Sequence, residues 1–253
     1  MDIRFTNSRV LVTGGGKGIG AAVAEAFAEA GATVGVHYHQ GREDADQLVE
    51  RLTARGLAAF SLGADLTADE APSNLVKDFV KLAGGVDVLI NNAGGLIRRS
   101  PVEDTDDALF RDVVQLNFGS AFAMTRAVIP YLRANGGGSI VNISSVAART
   151  GGAGNAVVYA ASKGALTTFS RGVAKEVVAD GIRVNSVEPG LIDTAFHANT
   201  TPSAFQTMAS GVPMGRAGRP ADLTGAVLFL ASDVHAGYIT GQSIGVNGGL
   251  WVD

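Results

Sequence analysis

The chain of 253 residues is 46% hydrophobic and 17% charged, which is enough apolar surface for a sizeable core and the reverse of a disordered composition. Its net charge of -4 leaves no basic excess to neutralise a phosphate backbone, which argues against nucleic acid as a partner. The absence of cysteine excludes disulfides, thiolate catalysis and Cys-ligated metal, and suits a reducing cytoplasm.

The N-terminal stretch Met-Asp-Ile-Arg-Phe-Thr-Asn-Ser-Arg has no apolar signal core, and no apolar run reaches the ~18 residues of a membrane span. A cytoplasmic location without a membrane partner is the expectation. Short apolar runs then alternate with longer helical patterns. Residues 9–13 are predicted as a buried strand, followed by a glycine-rich turn and a helix over 19–30 that Gly31 closes. A second strand over 33–38 leads to a helix over 42–55, and a third over 58–63 to a helix over 70–82. A fourth strand over 86–91 precedes one long helix over 106–134, with Asp104, Asp106 and Asp107 as acids at its start. A fifth strand over 139–144 precedes a glycine-rich loop and a helix over 157–180. The sixth and seventh strands, 183–187 and 243–246, bracket a helix over 220–232. Strands separated by helices predict a doubly wound α/β fold with about seven parallel strands, covered on both faces. Neither linker nor repeat interrupts it, so residues 1–253 are expected to form one domain. The least regular stretch, 191–218, reads as a lid over the ligand site.

The turn after the first strand reads Thr13-Gly14-Gly15-Gly16-Lys17-Gly18-Ile19-Gly20. Glycines let backbone approach a ligand, and the following helix start offers unpaired N–H groups to a pyrophosphate. Its T-G-x-x-x-G-x-G spacing is not the G-x-G-x-x-G of many dinucleotide folds, and a purely structural turn is the alternative. At the tip of the second strand, Val36-His37-Tyr38-His39-Gln40-Gly41-Arg42 lacks the acid that would hold a ribose 2′-hydroxyl. Lys17, His39 and Arg42 favour a 2′-phosphate instead, and hence NADP(H) over NAD(H); ordinary solvated side chains are the competing reading. His37 and His39 have too few companions for a metal site and are read as polar groups near adenosine or solvent.

Tyr159 and Lys163 lie four apart, on one face of the predicted helix. An ammonium beside a phenol whose ordinary pKa is about 10 favours the phenolate and makes a proton-transfer pair. Ser145, beyond the fifth strand, is placed to hydrogen-bond a substrate oxygen. Alone, a Tyr-x-x-x-Lys pair is common surface chemistry.

Together these features resemble the short-chain dehydrogenase/reductase family, from Arg9 to about Gly249. Asp65-Leu66 is similar to the family's acid-containing segment at adenine, and Asn91-Asn92-Ala93-Gly94 to the motif bracing the sheet beneath the cofactor. The resemblance implies a Rossmann-type fold and a catalytic tetrad of Asn117, Ser145, Tyr159 and Lys163. In it Tyr159 is the acid/base, Lys163 lowers its pKa and binds the nicotinamide ribose, Ser145 orients the substrate and Asn117 supports a proton relay. Ser144 remains open as the alternative serine. The resemblance also implies cofactor contacts from Gly14, Lys17, Gly18, Ile19, Gly20, Asn92, Ala93 and Gly94, and from Pro189, Gly190, Ile192 and Thr194 at the nicotinamide.

The implied activity is reversible, metal-free hydride transfer between NAD(P)(H) and a carbonyl or secondary alcohol. Among family branches the likeness is to 3-oxoacyl-carrier-protein reductases and to sugar or polyol dehydrogenases, which shared motifs do not separate. Arg98 and Arg99 follow the Asn-Asn-Ala-Gly motif and offer either a carboxylate site or solvated surface charge. Leu191, Phe196, His197, Phe205 and Met208 offer an apolar lid. A homotetramer built on helices 106–134 and 157–180 and the C-terminal segment through Trp251 is implied. A silent dinucleotide sensor is the rival reading, against which both Tyr159 and Lys163 are present. Dehydratases and epimerases on an extended form of the fold need more chain beyond the seventh strand.

Overall fold

A computed structural model describes residues 2–198 and 200–252. Its strands are β1 (Arg9–Val12), β2 (Thr33–Tyr38), β3 (Ala59–Gly63), β4 (Val88–Asn91), β5 (Gly138–Ile143), β6 (Ile182–Pro189) and β7 (Ser243–Val246). They form one parallel sheet in the order β3-β2-β1-β4-β5-β6-β7. The helices are α1 (Gly18–Glu29), α2 (Arg42–Ala54), α3 (Ala71–Ala83), α4 (Asp107–Val114), α5 (Ser120–Ala134), α6 (Ala147–Thr150), α7 (Val157–Val177), α8 (Pro202–Ser210), α9 (Ala221–Ala231) and α10 (Asp233–Ala236).

Successive strand residues point to opposite faces, and both faces are apolar. Val10, Val12, Val88, Ile90 and Val141 pack with Phe27 of α1, Leu48 of α2 and Val227 of α9. Leu11, Leu89 and Ile140 pack the other way, with Phe79 of α3, Met124 of α5 and Val173 of α7. Each fully buried side chain of this size contributes about 1.5–3 kcal/mol, so neither face is stable without its helical layer. The winding reverses between β1 and β4, where the carboxyl ends of the strands part and leave a crevice.

Three segments depart from the predicted elements. The helix expected over 106–134 is interrupted by a π-helical turn, Gln115–Gly119. There the Asn117 amide donates to the Val113 carbonyl at 2.9 Å and the Ser120 hydroxyl to Leu116 O at 2.6 Å. One extra residue per turn hardly disturbs the apolar period, so the pattern conceals it. β6 runs through Pro189, beyond the predicted 183–187, because Glu188 and Pro189 still pair with β7. The 191–218 stretch is more regular than expected. Ile192 bridges Gly218 at its base, and α8 starts at Pro202 with Thr201 accepting from Ala204 N.

On β2, Gly35 faces α3 so closely that a Cβ would lie 2.5 Å from the Phe79 ring. Gly35→Ala is expected to destabilise the fold by about 1–3 kcal/mol through overpacking. Adding Phe79→Leu should recover part of that loss in urea unfolding; simple additivity of the two changes would refute the packing account.

Candidate active site

The crevice between β1 and β4 opens into a cleft of about 1190 Å³. Its floor is the glycine turn. Gly14 and Gly18 have φ of 60° and 52°, a region in which side chains are strained. A Cβ at Gly20 would lie 2.1 Å from the Gly14 carbonyl oxygen, so this position also requires glycine. No side chain caps the start of α1, and the preceding residue, Lys17, lines the cleft with Gly14, Gly18 and Ile19. Uncapped N–H groups at the positive end of a helix dipole, beside a backbone free of side chains, fit a dinucleotide pyrophosphate.

This floor is tied to the next segment by side-chain hydrogen bonds. Thr13 Oγ1 accepts from the N–H groups of Asn92 (2.9 Å) and Ala93 (3.0 Å) and donates to Ile90 O. Asn92 Nδ2 donates to the carbonyls of Thr13 and Gly14. Asn91, one residue earlier, points inward to Asn142 and Thr125.

The sequence expectation of His37 as a polar group near adenosine or solvent is corrected by its burial. His37 is 2% exposed, and its Nδ1 accepts the Gly14 N–H at 3.0 Å while Nε2 lies 3.0 Å from Ala64 O. A ring nitrogen that accepts an N–H carries no proton, so Nε2 bears it and donates to Ala64. The neutral imidazole thereby links the glycine turn to the segment leading into Asp65. Burial lowers its pKa to about 4, against the opposing pull of the Ala64 carbonyl. A buried histidine near a strand's carboxyl end was the available signal; the sequence pattern does not distinguish it from a surface one.

A second wall of the cleft comes from the end of β5, α7 and the π turn. Ser144, Ser145, Tyr159 and Lys163 all line the cleft, but the Ser144 hydroxyl is engaged by Lys163 O (3.0 Å) and the Thr167 hydroxyl (2.8 Å), whereas that of Ser145 hydrogen-bonds with Tyr159. Lys163 Nζ donates to Ile143 O at 2.8 Å and lies 5.9 Å from the Tyr159 ring centre. Burial lowers the Lys163 pKa to about 8. Burial also raises the Tyr159 phenol, while hydrogen bonding with Ser145 pulls it down. Asn117 is fully buried behind this wall. Its amide clasps Gly95, accepting from the N–H at 2.9 Å and donating to the carbonyl at 2.8 Å. A Cβ on Gly94 would meet both Asn117 Oδ1 (2.7 Å) and Lys163 Nζ (3.2 Å), so these three converge.

On the opposite wall, Pro189 and Gly190 continue β6; a Cβ at Gly190 would meet Asn247 Cα at 2.6 Å. Ile192 and Thr194 also line the cleft, and Thr194 lies across from Gly18. The Phe196 ring stacks on Tyr159, with centres 5.7 Å apart. Toward the β2–β3 rim the expected contacts spread out. Lys17 pairs with Asp44 at 2.8 Å, Arg42 with Asp46 at 3.2 Å, and His39 sits 3.8 Å from Asp65. Asp65 also accepts from the hydroxyl and N–H of Thr67, which holds its carboxyl below the usual range. The Leu66 side chain is buried in the core, which leaves only its backbone to the adenine end.

A doubly wound sheet with a phosphate-shaped turn and a Ser-Tyr-Lys wall at its switch point defines a dinucleotide-dependent oxidoreductase site. Residues 14–251 match a family model described as enoyl-(acyl carrier protein) reductase. The 3-oxoacyl-[acyl-carrier-protein] reductase FabG of Staphylococcus aureus (strain N315) is 34% identical over 254 residues, 99% of this chain and 100% of that protein. A 7α-hydroxysteroid dehydrogenase, solved with NADH and 7-oxo glycochenodeoxycholic acid, superposes with a TM-score of 0.92 at 36% identity, covering 98% of this chain and 96% of that one. A Beutenbergia cavernae structure with bound NADP gives 0.90 at 33% identity, covering 98% of each chain. The chain belongs to the short-chain dehydrogenase/reductase family and is an NAD(P)-dependent oxidoreductase.

The His37 link makes a pH prediction. Its folded pKa lies below the ordinary 6.5, so on acidification the unfolded chain takes up the proton first. The contribution of His37 is complete above pH 6.5 and is lost as pH falls toward 4, an effect of about 3 kcal/mol. Urea unfolding across this window should show the loss in the wild type and a shallower slope in His37→Asn. Equal slopes would refute the link.

Proposed function

We propose that the chain catalyses reversible reduction of a ketone to a secondary alcohol, with Tyr159 as proton donor and Ser145 as the substrate-orienting hydroxyl. The observation that carries this reading is the convergence of Ser145, Tyr159 and Lys163 on one cleft wall. Burial keeps Tyr159 a neutral phenol, the form that gives a proton to a carbonyl oxygen as hydride arrives at its carbon. The nicotinamide supplies or takes that hydride. The phenolate left behind is stabilised by the Ser145 hydroxyl and the Lys163 ammonium. Asn117 acts on Lys163 through its grip on Gly95, holding the wall in register.

Gly14, Gly18, Ile19 and Gly20 are assigned to the pyrophosphate, Asn92, Ala93 and Gly94 to the cofactor's underside, and Asp65-Leu66 to the adenine end. Pro189, Gly190, Ile192 and Thr194 are assigned to the nicotinamide, beneath a lid formed by residues 191–218. We propose NADP(H) as the favoured cofactor, because Lys17, His39 and Arg42 surround the β2 tip and no acid stands on it. Lys17 and Arg42 would exchange their present aspartate partners for a 2′-phosphate. The substrate is a small ketone or alcohol of the 3-oxoacyl thioester or sugar and polyol classes, and the working unit is a homotetramer in the cytoplasm.

Tyr159→Phe is expected to lower kcat by about 10²–10⁴-fold with cofactor affinity nearly unchanged. Wild-type turnover in this variant would end the mechanism. Replacing Lys17 and Arg42 together by alanine should reduce the NADPH-to-NADH ratio of kcat/KM by about tenfold. An unchanged ratio would remove the case for NADP(H).

A further inference from the structure

At the substrate end of the cleft, Arg99 and His197 line the same space from segments far apart in sequence. Arg99 is not simply a solvated charge. Its Nη1 donates to the carbonyls of Ala153 (2.7 Å) and Gly154 (2.8 Å), which fixes the guanidinium at the cleft mouth. The three N–H donors on Nε and Nη2 have no protein acceptor among the described residues. Its neighbour differs: Arg98 is paired with Asp106 at 3.1 Å.

His197 is held between two rings, with centres 5.1 Å from Phe196 and 5.4 Å from Phe205. Phe196 in turn packs on Tyr159, so His197 stands one ring away from the proposed acid. Its Nδ1 is buried and has no hydrogen-bond partner among the described residues, so the ring is positioned by its aromatic neighbours rather than by a protein hydrogen bond at that nitrogen. Burial and the charge of Arg99 disfavour protonation of this imidazole, and Asp193 opposes them. An anion held by Arg99 would offset that charge and accept a hydrogen bond from the imidazole.

We propose that Arg99 and His197 form a carboxylate subsite, so that the substrate is an oxo acid or hydroxy acid whose carboxylate is held there while its carbonyl faces Tyr159. This rests on the reading of the Ser145–Tyr159–Lys163 wall as catalytic, and it favours a sugar acid over a neutral thioester. The guanidinium fork takes one or both carboxylate oxygens and His197 donates to the other side.

The test pairs short oxo acids, uronates and aldonates with their own methyl esters. Turnover is followed by nicotinamide absorbance, and binding to the cofactor complex by quenching of NADPH fluorescence. The wild type should prefer acid over ester by at least about tenfold in kcat/KM. Arg99→Gln should lose about 10–100-fold on the acid, mainly in KM, and stay within about twofold on the ester. Arg99→Lys should keep part of the preference, and His197→Asn should weaken it. Equal use of acid and ester by the wild type overturns the subsite. So does an equal loss on both in Arg99→Gln, which would leave Arg99 as a brace for residues 153–154. Acid binding that Arg99→Gln weakens, without turnover of any compound, would retain the subsite and reject the catalytic reading. Absence of both binding and turnover with every acid would overturn the subsite.

Discussion

The hydroxyl of Thr13 joins the two strands between which the winding of the sheet reverses. It accepts two backbone N–H groups from the segment after β4 and donates to the Ile90 carbonyl, so its hydrogen-bonding capacity is filled. Parallel strands end in backbone groups without ladder partners, and at a switch point there is no crossing helix to cover them. Thr13 and Asn92 satisfy those groups from within the sheet. The glycine turn and the 91–94 segment are consequently fastened to one another. Because Gly94 abuts both Asn117 and Lys163, the floor that would hold a cofactor and the wall that would handle the proton share a single mechanical reference.

A second set of polar groups runs behind that wall. Asn91 donates to Asn142, Asn142 to Ser170, and Ser186 also donates to Ser170, all buried beneath α5 and α7. A polar chain in an apolar core is costly when one member is lost, and for that reason it specifies one register of β4, β5 and β6. The buried Glu188 carboxylate, paired with Arg149 at 2.9 Å, applies the same logic between β6 and α6. The chemistry is therefore built on positions that the sheet over-determines. His37 extends this to the adenine side, where a neutral imidazole does what a backbone ladder cannot, bonding sideways from β2 to the glycine turn and to Ala64.

How much of this can be read from sequence follows from what each feature depends on. The alternation of strands and helices, the burial of both sheet faces and the Tyr159–Lys163 face rest on apolar period and local spacing, which the chain displays directly; the strand order is a tertiary fact. The choice between Ser144 and Ser145 depends on which serine meets Lys163 and Thr167 across α7, a tertiary fact. The π turn at Gln115–Gly119 escapes because it adds one residue without breaking the stripe. The role of His37 escapes because both partners, Gly14 and Ala64, are distant in sequence. The helix α8 was within reach: Thr201-Pro202 is an N-cap followed by a proline at the first helical position. Irregularity on either side obscured it.

The same distinction explains why motifs define the family and not the substrate. Most groups that would touch the cofactor sit at strand ends, where parallel pairing fixes their spacing, and Tyr159 and Lys163 share one face of α7. Groups that would meet the far end of a substrate, Arg99 and His197, sit in segments that the sheet does not constrain. Residues 95–99 are held by Arg99 gripping residues 153–154 and by Asn117 gripping Gly95. The 191–218 excursion rests on its own small core of Leu191, Ala209 and Val212. Such a core is too small to be rigid by itself; the Ile192–Gly218 bridge closes the excursion at its base, and the Met214 N–H donates to Gly248 O at 3.0 Å beyond it. The floor of the cleft is thus fixed by the sheet, whereas its substrate end is held by irregular segments that meet the wall at Gly95 and Phe196, and the first has a spacing that a sequence can display.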